Sequence, residues 1–233
     1  MGRSFQSLTQ AKFTEASTND IRRDAWQGVG HQPQDPYLAF MGHVRATVIG
    51  LHTEIDHVLS VVAPVGLAAA AARPALVIDL DPDGPLFPGP RSLAELVGDG
   101  PTRSELFPDS PGGPGSSVAL LRNGGTEWEP AIPIIEALAR QWPAVVLRLP
   151  DRGGPWPWPV VPVVPLLPGI LQPGRRRAAV WQSVTSRKVI APGPGPVLPG
   201  LDRSALTRML TLRSEPRGKW VRAWSQVWEL PWP

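Results

Sequence analysis

The 233-residue chain has no cysteine, a single tyrosine and only three lysines, Lys12, Lys188 and Lys219. The missing cysteine excludes disulfides and thiolate metal sites and fits a reducing compartment. No stretch reaches 18 uninterrupted apolar residues, so a membrane-spanning helix is not expected, and the N-terminus shows no signal-peptide pattern. The four histidines, His31, His43, His52 and His57, never stand four residues apart, so no metal-binding pair forms on one helix face. Neither metal nor cofactor is expected.

Proline, glycine and tryptophan are what the chain has in excess. It carries 30 prolines, about 13% against a usual ~5%, with 23 glycines and 10 tryptophans. Charge is uneven. Residues 1–150 hold 11 Lys/Arg against 16 Asp/Glu, whereas residues 151–233 hold 12 against 4. A basic C-terminal third suits nucleic acid, an anionic membrane surface or an acidic partner.

The most informative stretch is Ala75-Leu-Val-Ile-Asp-Leu-Asp-Pro-Asp-Gly-Pro85. A short apolar run closed by turn residues reads as a buried strand of a parallel sheet. Asp79, Asp81 and Asp83 then lie at its carboxyl end, where open α/β sheets bind ligands. Further strands are expected at Ala144–Leu149 and Val160–Leu167, with a helix over Ile132–Gln141. Pro162 and Pro165 demote the last strand to an edge or irregular one. A capping box, Ser92 with Glu95 three residues on, opens a short helix to Val97. Glu127, Glu129 and Glu136 have no partner that would make an acid/base pair and read as a solvated face.

These segments, in this order, resemble the ParA/MinD-type ATPases over roughly residues 60–170. Ala75–Gly84 resembles that family's second strand with its Asp-x-Asp-Pro ending. Val118-Ala-Leu-Leu-Arg-Asn-Gly-Gly125 resembles the strand and glycine turn before the next helix. Ala144–Pro150 resembles the Walker B strand and Val160–Pro168 the strand after it. The resemblance implies an α/β fold, a reduced, mostly parallel sheet flanked by helices. It also implies that Asp79 and Asp81 mark a relic nucleotide site. Two departures stand against ATP hydrolysis. No glycine-rich loop with Lys and Ser/Thr precedes Asp79, although phosphate binding needs one. Arg148 occupies the position of the family's Walker B Asp, and its guanidinium would repel Mg²⁺.

Outside that body, residues 1–35 read as a flexible polar arm. Asp35-Pro36 opens an expected long helix, to Ala63, with Tyr37, Met41, Val44, Val48, Leu51, Ile55, Val58 and Val62 spaced 4, 3, 4, 3, 4, 3, 4. That heptad seam suits a dimer or partner interface, or packing on the chain's own body. Pro64 would end the helix. From residue 171 the chain is a basic, Pro/Trp-rich extension. Arg175, Arg176, Arg177, Arg187 and Lys188, with Trp181 among them, form a candidate site for nucleic acid or an acidic partner. Trp220, Trp224 and Trp228 form a stripe at i, i+4, i+8 that suits either a membrane interface or docking on the body. Asp151–Pro159 holds two Pro-Trp repeats, which suit either polyproline II, a recognition conformation, or a rigid lid that packs Trp156 and Trp158 over the sheet edge.

The expected function is therefore a non-catalytic interaction or scaffold protein on a degenerate ParA/MinD-like fold, paired with an active ATPase or dimeric. The alternatives are a divergent ParA-type ATPase in DNA partition or positioning, and a DNA- or membrane-binding adaptor. The expected location is the cytoplasm, with the membrane or nucleoid periphery open to the basic segments.

Overall fold

Among the described residues, the Asp79 strand is the second of seven in one all-parallel sheet. The strands are β1 (Thr47–Thr53), β2 (Ala75–Asp79), β3 (Val118–Leu121), β4 (Ala144–Arg148), β5 (Val160–Leu166), β6 (Val180–Ser183) and β7 (Val197–Leu198). Their order across the sheet is β3-β2-β4-β1-β5-β6-β7. The computed structural model describes residues 47–53, 56–84, 87–102, 117–150, 154–167, 177–184, 190–211 and 217–232. Arg45–Pro233 is one unit; the other, Met1–Val44, lies outside the described residues. The helices are α1 (His57–Ala69), α2 (Leu93–Asp99), α3 (Ile132–Ala139), α4 (Arg203–Thr211) and α5 (Lys219–Glu229). The protein is an α/β fold, as the strand pattern implied.

Both faces of the central strands are buried, which is why they read as continuous apolar runs. Side chains alternate between two cores with the two-residue period of a strand. Ala75, Val77, Ala144 and Val146 face one core with α1 and α5. Leu76, Ile78, Val145 and Leu147 face the other with α2 and α3. The capping box forms as expected: Ser92 Oγ accepts from Glu95 N, and Glu95 Oε2 accepts from Ser92 N at 2.7 Å.

The expected helix over 36–63 is corrected. Residues 47–53 are strand β1, so Val48 and Leu51 belong to the sheet and not to a helical seam. Tyr37, Met41, Val44 and Ile55 lie outside the described residues. The helix starts at His57, and Pro64 lies within it. Val58, next on the seam, is exposed at 46%. The heptad spacing was outweighed by tertiary burial. Thr47-Val48-Ile49 is β-branched, and the slot between β4 and β5 favours an apolar strand over an exposed helical face. Pro64 costs α1 only the N–H that would have reached the Ser60 carbonyl.

β5 is also corrected: it is an interior strand between β1 and β6. Pro162 stands opposite His52, and Pro165 opposite Gln182. Three residues apart, the two prolines face opposite edges, so each neighbouring ladder loses a single donor. The sheet thus extends beyond residues 64–170 on both sides, taking in β1 at one end and β6 and β7 at the other.

The tryptophan stripe docks on the body. Trp220 is 5% exposed and Trp224 fully buried, edge-on to each other at 5.5 Å. Trp220 Nε1 donates to Gln182 Oε1 at 2.7 Å, and Trp228 Nε1 donates to the Leu67 carbonyl at 3.0 Å. Gly66 of α1 makes this possible, since a Cβ there would run into the Trp220 ring. Among the described residues, no helix is long and apolar enough to cross a membrane.

Candidate functional site

Chain direction reverses at the centre of the sheet. From β1 the chain crosses to β2 and then β3 on one side; from β4 it crosses to β5 on the other. β1 and β4 are neighbours, so the crevice at their carboxyl ends is the topological switch point, where such sheets bind ligands. Thr53 ends β1 and Arg148 ends β4, with Asp79 beside Arg148 in register at the end of β2. All three are buried.

Three charges close on one another there. Arg148 Nη1 donates to Asp79 Oδ2 at 3.2 Å and to Oδ1 at 3.3 Å. Arg148 Nη2 donates to Asp81 Oδ2 at 2.8 Å. Arg148 and Asp79 are 1% and 0% exposed, whereas Asp81 retains 18%. The Arg148 guanidinium also lies 5.6 Å from the Phe87 ring centre. Gly84 folds directly over the ion pair, where a Cβ would collide with Arg148 Nη2 and Asp81 Oδ2. The carboxylates hold the turn as well: Asp79 Oδ1 accepts from Asp81 N, and Asp81 Oδ1 accepts from Asp83 N. The sequence pattern placed Asp79 and Asp81 at a relic nucleotide site. They make the turn bonds, and Arg148 takes up their charge.

Asn123, which sequence reasoning passed over, ties β3 to this cluster. Its Nδ2 donates to the Asp79 carbonyl at 3.3 Å and to the Thr126 carbonyl at 3.0 Å. Its Oδ1 accepts from Gly125 N and Thr126 N. Gly124 and Gly125 have φ of 81° and 87°, so the turn requires glycine there. Asn followed by Gly-Gly was the available signal.

Asp56 falls inside the helix expected over 36–63. It is the N-cap of α1, and its Oδ1 accepts from Val58 N at 2.9 Å and Leu59 N at 3.0 Å. A helix N-terminus with free N–H groups attracts anions. Here the chain's own carboxylate takes two of those donors. An Asp just ahead of an apolar run was the signal that could have found it. The remaining predicted binding residues are not brought to this site. Arg177 is exposed, while Arg175, Arg176, Arg187 and Lys188 lie outside the described residues.

Burial pushes the Asp79 carboxyl up to about 6; the Arg148 guanidinium and the Asp81 N–H offset part of the rise, and the Asp81 charge adds to it. The folded state thus binds this proton more tightly than the unfolded chain. The resulting stability is complete below the unfolded value of 3.8 and is lost as pH rises through about 6. The loss is on the order of 3 kcal/mol. Asp79→Asn does not titrate, so its urea midpoint relative to wild type is expected to rise between about pH 5 and pH 7. A difference that stays flat over that range would show Asp79 ionised throughout.

Fold and site define an all-parallel α/β protein whose switch point is closed by its own ion triad. Comparison with known proteins adds little: no family model matches the chain. A copalyl diphosphate synthase from Streptomyces anulatus is 34% identical over 128 residues, covering 50% of this chain and 23% of that protein. The chain therefore matches less than a quarter of that relative's length.

Proposed function

We propose that this protein is a non-catalytic interaction protein built on a degenerate ParA/MinD-like body, acting as the partner of an active ATPase of that type. One observation carries the reading: the Arg148 guanidinium sits buried between Asp79 and Asp81, at the strand ends where the resembled family faces its nucleotide. A cation there would have to displace a guanidinium already paired with both carboxylates.

The segment before β2 supports the same reading. A phosphate-binding loop sits between a strand and the helix that follows it. Here that connection is Glu54-Ile55-Asp56, without glycine or lysine. Asp56 caps α1 with a negative charge, which repels phosphate. The segments that suggested the resemblance form the parallel strands β2, β3, β4 and β5 and helix α3.

The test is calorimetric titration of the full-length protein with ATP and with ADP, each with Mg²⁺. No saturable heat is expected at about 100 μM protein, a level at which micromolar ligands saturate. A saturable isotherm that disappears in Asp79→Ala, with the variant's melting intact, would replace this reading with that of a divergent ATPase.

A further inference from the structure

The Pro-Trp loop carries a second surface, far in character from the ion triad. Trp156 and Trp158 are half-buried against the core formed with α2 and α3, and Pro155, Pro157 and Pro159 alternate with them, exposed. Trp128, at the start of the turn leading into α3, meets Trp156 with ring centres 4.7 Å apart and planes tilted by 53°. Gly154 lies against both rings: a Cβ there would stand 3.3 Å from Trp156 and 3.6 Å from Trp128.

The indole N–H groups distinguish this cluster at the surface, Trp224 Nε1 being the unpartnered one in the core. Those of Trp181, Trp220, Trp228 and Trp232 each donate to a protein acceptor. Among the described residues, none accepts from the indole N–H of Trp128, Trp156 or Trp158. An indole can only donate. The surface therefore offers flat apolar rings together with unused donors. A proline-rich segment is the converse: each proline lacks an N–H and keeps its carbonyl, so it presents apolar rings together with unused acceptors. Such a segment also holds an extended polyproline II form before binding, which reduces the entropy lost on docking.

Charge narrows the partner further. Glu127 and Glu129 flank Trp128 and are exposed. We propose that the Trp128–Trp156–Trp158 surface binds a proline-rich segment flanked by arginine or lysine, stacking its prolines on the rings and donating the free indole N–H groups to its carbonyls. This names a partner class for the interaction protein proposed above and rests on that reading. The two surfaces are tested separately, so a nucleotide titration and a peptide titration can fail independently.

The full-length protein is titrated calorimetrically with decaproline carrying two arginines at each end, and with a Gly/Ser peptide of the same length and charge. Saturable binding is expected for the proline peptide alone, with a Kd on the order of 100 μM, as suits a small interface. Trp156→Phe keeps a ring and removes the N–H; it is expected to weaken binding about tenfold, with Trp158→Phe as the second such variant. Changing both Glu127 and Glu129 to Gln is expected to weaken the arginine-flanked peptide a few-fold and leave plain decaproline unaffected. Equal binding of the Gly/Ser peptide overturns the proposal. So does undiminished binding by both Phe variants with unchanged melting, or no saturation by about 1 mM peptide, a level above any useful affinity.

Discussion

Arg148→Ala is expected to destabilise the protein by about 3–5 kcal/mol, the usual result of removing one partner from a buried ion pair. The loss comes less from the missing attraction than from what stays behind. Asp79, with no exposed surface, keeps a charge that nothing neutralises, and the turn through Asp81 loses its 2.8 Å anchor. The deficit is expected to be greatest near pH 8 and to shrink as pH falls to about 5, because Asp79 can then take up a proton. Lysine is not a substitute, since it lacks the fork that reaches Asp79 and Asp81 together. Urea unfolding of Arg148→Ala, Asp79→Asn and the double variant closes a mutant cycle. A double variant less damaged than Arg148→Ala alone is the expected result. A loss below about 1 kcal/mol would instead be that of a solvated surface pair, and the closed triad would be abandoned.

The second large effect lies at the other end of the chain. Trp224→Ala is expected to cost about 3–5 kcal/mol, as for other fully buried tryptophans. Trp224 is completely covered between α1 and the sheet, and Trp220 leans on its edge. Gly66→Val approaches the same contact from the opposite side. Its side chain would occupy the space of the Trp220 ring and come within 2.9 Å of Trp224 Nε1. Both variants are expected to lower the urea midpoint and to expose α5 to limited proteolysis. An α5 that stays protected in Trp224→Ala would show that Gln182 and Trp228 suffice to hold it.

Where local pattern and burial agree, the sequence is readable. Ala75–Asp79 and Ala144–Arg148 are short apolar runs closed by turn residues, and both are interior parallel strands. The start of α2 and the Gly124-Gly125 turn follow from capping and turn chemistry that act over a few residues. The errors all depend on remote partners. Val48 and Leu51 fit a heptad as well as a strand, and only the slot between β4 and β5 decides between them. Gly50 was the contrary signal: mid-helix it costs stability, and in β1 it leaves room for Leu149. Pro162 and Pro165 argue against an interior strand unless the edge each one faces is known. For the site, Asp79 and Asp81 were visible as a carboxylate cluster and Arg148 as an odd cation. That they neutralise one another across two strands became visible only through the register that places Asp79 opposite Arg148.

The position of β1 has a consequence for synthesis. Of the described strands it leaves the ribosome first, yet both of its neighbours come much later: Thr47 pairs with Ala144, and Gly50 with Val160. Until those strands emerge, β1 has no strand beside it, and such long-range closure is slow. The cover α5, Lys219–Glu229, follows every described strand in the chain. A nascent chain stalled before that helix would hold a nearly finished sheet with one face bare, a species that chaperones and proteases recognise.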